Sequence, residues 1–167
     1  MKFNNFLEDL NFSLDCRDDE IFDNLYFRAF KTLKRVELVE DLDLQRKGID
    51  KKLHFENGKT VLIDEKKRRK DYGDILLEEY SVWERKVVGW LGRHIHTDYI
   101  VYAFMDTGRV HLFPFLLLQR AWIKNYHQWL ADYGRKFAIN NGYKTSSIPI
   151  PTDILLFALK DAGEEQL

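Results

Sequence analysis

Apolar side chains recur at three- and four-residue steps over residues 18–35, where Ile21, Phe22, Leu25, Tyr26, Ala29, Phe30 and Leu33 share one face, with acids early and Lys31, Lys34 and Arg35 late. That pattern predicts an amphipathic helix whose charges match its dipole. A polar stretch runs from Asp41 to Asp50, and two short runs then flank Glu56-Asn57-Gly58, the signal of a hairpin. Residues 74–81 and 98–104 read as strands, the second turning at Asp106-Thr107-Gly108 into another over 109–113. Pro114 opens a long helix in which Phe115, Leu118, Trp122, Tyr126, Trp129 and Tyr133 recur at helical spacing until Gly134. An extended segment over 146–151 is expected as an edge or terminal strand because of Pro149 and Pro151, followed by a short helix over 152–160. The expected fold is α/β (α+β): a single domain over 1–167, with a mixed central sheet of about five strands flanked by helices.

Composition narrows the class. A chain of 167 residues with 45% hydrophobic and 14% aromatic residues is too apolar to stay disordered, and its length suits one domain with one site. No stretch offers the roughly 18 uncharged apolar residues of a membrane span, and residues 1–9 lack the order of a signal peptide, so a cytoplasmic address without membrane attachment is expected. The single cysteine, Cys16, excludes an internal disulfide and a cysteine zinc cluster. The net charge of -1 conceals an uneven distribution: acids dominate the first forty-odd residues, whereas bases gather at Arg46, Lys47, Lys51 and Lys52 and again from Lys66 to Lys70. Carboxylates that bind a metal cancel bases that bind phosphate, so near-neutrality does not exclude nucleic acid.

The hairpin carries the candidate chemistry, and its register decides which residues meet. Of the overlapping triplets Asp64-Glu65-Lys66 and Glu65-Lys66-Lys67, only one shares a face with Asp50, because side chains alternate along a strand. A two-residue loop at Asn57-Gly58 would set Glu56 opposite Lys59 and mix polar with apolar side chains. A three-residue loop with Gly58 in the left-handed bulge position sets Phe55 opposite Lys59. Leu53, Phe55, Val61 and Ile63 then form a core face, and Asp50, Lys52, His54, Thr60, Leu62, Asp64 and Lys66 form the other. Burial selects this second register, since a one-residue slip would put the apolar set in water. Asp50 then lies opposite Asp64, with Cβ atoms roughly 5 Å apart. Two facing carboxylates repel unless a positive charge sits between them, and a hard cation such as Mg²⁺ resolves that repulsion. Lys66 would orient or deprotonate a water, or stabilise charge in the transition state. A solvated hairpin with weak cross-strand charge pairs among Lys52, Asp64 and Lys66 fits the same residues.

Gly48-Ile49-Asp50 delivers an acid to a strand start, Val61-Leu62-Ile63 ends in Asp64-Glu65-Lys66, and Ile75-Leu76-Leu77 ends in Glu78. With Gly89-Trp90-Leu91 further on, residues 41–104 resemble the PD-(D/E)XK nuclease superfamily, more narrowly its small phage or bacterial endonuclease-like members. The resemblance implies a restriction-endonuclease-like core and a site for Mg²⁺ or Mn²⁺. It implies Asp50 and Asp64 as metal ligands and Lys66 as the catalytic lysine, with Glu65 contributing through its backbone carbonyl. Glu78 matches the acid closing the third strand, with Glu79 its neighbouring alternative. Gln45 is either an accessory or phosphate contact or structural polarity. The first helix offers Asp19, Glu20 and Asp23 without singling one out, Glu20 being carried as an accessory residue. Lys52, Arg68 and Arg69 are the candidate phosphate contacts. An extra hairpin departs from the simplest order of elements in that family.

Two weaker signals stand beside this one. His94, His96 and Asp98 offer zinc-ligand types, against ordinary loop histidines. The Trp122, Tyr126, Trp129 and Tyr133 stripe suits either base stacking or core packing. The expected function is metal-dependent cleavage of nucleic acid, with DNA the expected substrate and a homodimer expected if both strands of a duplex are cut. The alternatives are a nuclease-fold DNA-binding module without turnover, and a protein-interaction component of a mobile element docking through the acidic N-terminal third.

Overall fold

The computed structural model describes residues 20–93 and 95–164, without the side chains of Glu20 and Ile21. Cys16, Asp19 and His94 lie outside the described residues. In chain order the elements are α1 (Glu20–Ala29), β1 (Leu33–Leu38), α2 (Leu42–Arg46), β2 (Lys51–Phe55), β3 (Thr60–Arg68), β4 (Asp74–Val82) and β5 (Val87–Val88), with a single 3₁₀ turn (Trp83–Arg85) between the last two. They continue with β6 (Tyr99–Phe104), β7 (Arg109–Pro114), α3 (Phe115–Tyr133), β8 (Lys136–Asn140), β9 (Tyr143–Pro151) and α4 (Thr152–Glu164). The described chain forms two compact units, residues 20–70 with 95–114 and residues 71–93 with 115–164.

The first unit is the expected five-stranded mixed sheet, in the order β1-β2-β3-β6-β7. The first three strands are antiparallel neighbours, β6 runs parallel to β3, and β7 returns antiparallel to β6. Helix α1 lays Phe22 and Tyr26 on one sheet face, against Leu33, Leu53, Ile63, Val101 and Ala103. Burying that face is what fixes the register of the strands beneath it.

The helix expected over 18–35 ends at Ala29 instead. Phe30 and Leu33 close a turn through N–H bonds to Tyr26 and Phe30 carbonyls, and Leu33 opens β1. Pairing with β2 overrides the helical propensity of Leu33, Lys34 and Arg35, and the backbones of Leu33 and Arg35 gain ladder partners there. The polar stretch before Asp50 also contains a short helix, α2, capped by the Asp41 carboxylate on the Asp43 and Leu44 N–H groups.

The second unit is a four-stranded sheet in the order β5-β4-β9-β8, accompanied by α3 and α4. Strand β9 is the last described strand in chain order, as one of the two expected placements has it, but it lies inside its sheet and not at the edge. Pro149 and Pro151 fall beyond Ser147, where β8 has ended and only β4 pairs, so their missing N–H groups break no ladder. Trp122 and Trp129 are buried, which places the aromatic stripe of α3 in packing. Among the described residues no helix is long and apolar enough to cross a membrane.

Candidate functional site

The hairpin adopts the three-residue loop. Gly58 takes φ +81°, its N–H bonds the Phe55 carbonyl at 3.0 Å, and the Phe55 N–H bonds the Lys59 carbonyl at 2.9 Å. Lys51 pairs with Ile63, Lys52 with Leu62, Leu53 with Val61 and His54 with Thr60. Leu53 and Ile63 are fully buried on the α1 side, and Asp64 and Lys66 project from the opposite face.

Asp50 reaches that face through the end of α2. The Gly48 N–H bonds the Gln45 carbonyl at 2.9 Å and the Ile49 N–H bonds the Leu44 carbonyl at 3.1 Å, the paired closure of a left-handed helix stop with Gly48 at φ +77°. A Cβ on Gly48 would also lie 3.2 Å from Ile95 and 3.4 Å from Asp64 Oδ2. The glycine thus serves both the turn and a close approach to the acid. Asp50 then donates its N–H to the Ile63 carbonyl at 2.8 Å and accepts the Val39 N–H at 2.9 Å, which pins it one step before β2, opposite Asp64. Its Oδ2 accepts the Glu65 N–H at 2.8 Å.

Asp64 is 3% exposed, with Lys66 Nζ 2.5 Å from its Oδ1. Burial pushes its carboxyl up to about 6, Lys66 opposes that rise and the Asp50 carboxylate adds to it. The Lys66 side chain remains 30% exposed and so meets solvent where Asp64 does not. The structure therefore brings together Asp50, Asp64 and Lys66.

The other sequence candidates are placed differently. Alternation sends the Glu65 side chain to the α1 face, where Oε1 accepts Tyr26 Oη at 2.6 Å and lies 3.3 Å from Lys51 Nζ, so only its backbone lies toward Asp50. Gln45 donates its side-chain N–H to the Val39 carbonyl at 2.6 Å, a structural tie across the segment entering α2. Lys52 pairs with Glu37 at 3.1 Å, and Glu37 also meets His54 and Arg35. Arg68 follows Asp64 and Lys66 on the same face of β3, and Arg69 is exposed just past the strand. Glu78 stands on β4, which pairs with β9 and β5 and not with the hairpin, so it does not extend the row of Asp50 and Asp64 in their sheet. Its Oε1 accepts the Trp90 N–H at 3.3 Å. Glu20 begins α1. The Asp98 carboxylate accepts the Leu62 N–H at 2.7 Å, at the start of the β3–β6 ladder.

Two polar clusters escaped the sequence reading. One is the α1-side group of Asp23, Tyr26, Lys51, Glu65 and Lys67. The other is Glu79, which sits in the bulge of β4 and accepts Arg135 Nε at 2.6 Å, Arg135 Nη2 at 2.8 Å, Ser146 Oγ at 3.0 Å and the Tyr126 hydroxyl. Burial alone would raise the Glu79 carboxyl, but bonds from Arg135, Tyr126 and Ser146 hold it below the usual range. The arginine just after a helix-ending glycine was the available hint.

Among the described residues no group of three or more His, Cys, Asp or Glu side chains is arranged to hold a metal ion. The donor set is instead two facing carboxylates beside a lysine. That suits Mg²⁺ or Mn²⁺, which need only one or two carboxylates with waters and substrate oxygens completing the shell, and does not suit a structural zinc site. No family model, curated protein or solved structure matches this chain.

Proposed function

We propose that the protein is a metal-dependent nuclease of the PD-(D/E)XK type that cleaves phosphodiester bonds of DNA at Asp50, Asp64 and Lys66. The observation that supports this reading is a buried Asp64 facing Asp50 with its carboxyl raised to about 6, an arrangement that costs stability and calls for a cation. Asp50 and Asp64 are the side chains that would hold Mg²⁺ or Mn²⁺, with the Glu65 backbone carbonyl as a further oxygen. A metal bound there would polarise the phosphorus centre and lower the pKa of a water. The Glu65 N–H fixes one Asp50 oxygen, so the carboxylate presents its other oxygen in a set direction. Lys66, partly exposed and tied to Asp64, would orient the attacking water or stabilise negative charge on the phosphate oxygens. Arg68 and Arg69, further along and just past β3, supply phosphate contacts that position the strand without reading bases.

Labelled single- and double-stranded DNA incubated in Mg²⁺, Mn²⁺ or EDTA tests this. Cleavage that needs metal and is lost in Asp64→Ala and Lys66→Met is the expected outcome; equal cleavage by the folded variants would remove the claim. A second reading, a DNA-binding module without turnover, is favoured by the 2.5 Å Lys66–Asp64 pair, which already neutralises the buried acid. It predicts binding that weakens with salt and ignores EDTA, with no cleavage of any form.

A further inference from the structure

Residues adjacent to the two candidate ligands carry a buried ionic cluster on the back of the hairpin. Lys51 follows Asp50 and Glu65 follows Asp64, so alternation turns both side chains toward α1. There Lys51 Nζ lies 3.3 Å from Glu65 Oε1 and 3.0 Å from Asp23 Oδ1, and Lys67 Nζ lies 3.5 Å from Glu65 Oε2. Tyr26 Oη donates to Glu65 Oε1 at 2.6 Å. The Lys51, Glu65 and Lys67 side chains are only 4% exposed, and Lys51 and Lys67 both stand over the Phe22 ring. Burying three charges in a fold this small is expensive, and an apolar set of similar volume would pack at least as well.

The placement gives the cluster a use. At Asp50 the β2–β3 ladder is ending, and the remaining cross-strand ties are the Asp50 N–H to Ile63 and the Glu65 N–H to Asp50 Oδ2. The Lys51–Glu65 pair joins the same two backbone stretches from behind, and Tyr26 anchors it to α1. We infer that Lys51, Glu65 and Tyr26 are positioning residues that hold the Asp50 and Asp64 carboxylates at the separation a divalent cation needs. This rests on the metal-site reading above. The two faces of the hairpin thus divide the work: the front residues would bind the ion, and the back residues set the spacing between the peptides that carry them.

The test is Mn²⁺ binding to the full chain, followed by electron paramagnetic resonance, beside urea unfolding of each variant. Asp64→Ala serves as the ligand control. Lys51→Met with Glu65→Met replaces the charges by apolar side chains of similar length, and Tyr26→Phe removes only one hydrogen bond. Positioning predicts that both variants stay folded, bind Mn²⁺ on the order of tenfold more weakly, and give a broadened spectrum of the bound ion. Wild-type affinity and spectrum in folded Tyr26→Phe and in the double variant would overturn the inference while leaving the metal site standing. Should the wild-type chain bind no Mn²⁺, or Asp64→Ala bind it equally well, the metal-site reading falls and this inference with it.

Discussion

Replacing Asp64 by asparagine should stabilise the metal-free protein at neutral and alkaline pH. The side chain keeps its shape and loses the charge that burial and Asp50 disfavour. Its carboxyl ionises near 6 in the folded chain against an ordinary 3.8, so the folded state retains a proton that the unfolded state has released between those values. Unfolding free energy is therefore intact below about 3.8 and is lost as pH rises through about 6. The interval is a little over two pH units, and at ~1.4 kcal/mol for each it amounts to about 3 kcal/mol by pH 8. The Lys66 pairing opposes the rise and is already contained in that interval; once Asp64 is neutral, water can take over the 30% exposed lysine. Urea unfolding in EDTA at about pH 4 and pH 8 measures the effect. The gain from Asp64→Asn should be near zero at the lower pH and reach up to about 3 kcal/mol at the higher one. A variant that is less stable than wild type at pH 8 would show that Asp64 is a satisfied ion pair, and the case for a missing cation would fail.

Three further outcomes follow from the geometry. Gly48→Ala should cost about 1–3 kcal/mol, because alanine at φ +77° is strained and its Cβ would crowd Ile95 and Asp64, whereas Gly48→Asn, which tolerates that φ better, should recover part of the loss in thermal unfolding. Gly89→Ala should be more damaging, about 3 kcal/mol or above, since a Cβ there would lie 2.3 Å from the Glu78 carbonyl oxygen, a backbone atom that cannot rotate away; wild-type stability by calorimetry would contradict that packing. Arg135→Met should cost about 3 kcal/mol near neutrality by leaving Glu79 buried with only Tyr126 and Ser146. Because the Glu79 carboxyl is held low, its contribution is present above the ordinary 4.5 and is lost as pH falls through the lowered value, so the gap between variant and wild type should narrow in acid; a constant gap would mean Arg135 acts through packing alone.

The hairpin was legible because two independent constraints, a glycine suited to a left-handed bulge and the need to bury Leu53 and Ile63, select the same register. Asp50, Asp64 and Lys66 follow from that register and from Gly48-Ile49 delivering an acid to the start of the strand. What stayed hidden depended on long-range pairing. Leu33 to Arg35 continue the helical spacing of residues 18–35 and join β1 only because β2 supplies ladder partners. Without β1 there is no Glu37 opposite Lys52, which is why Lys52 reads as a phosphate contact in the sequence and as a paired lysine in the structure. Strand β8 and its tight turn to β9 were missed although Asn141-Gly142 signals a hairpin; Gly142 indeed takes φ +82°. Order along the chain assigns Glu78 to the third strand of one sheet, but β4 belongs to a second sheet, where it pairs with β9, a strand that begins only at Tyr143. Alternation already turns Lys51 and Glu65 away from Asp64 and Lys66, but the back-face cluster is completed by Asp23 and Tyr26, whose docking of α1 on that face the sequence does not show.

The measurement closest to the central claim is an anomalous difference map from crystals grown with Mn²⁺. A metal at Asp50 and Asp64 predicts a peak about 2.1–2.2 Å from one oxygen of each carboxylate, absent in Asp64→Ala crystals. A map with no peak at that pair, from a protein that still cleaves DNA, would place the chemistry elsewhere in the molecule and contradict the assignment.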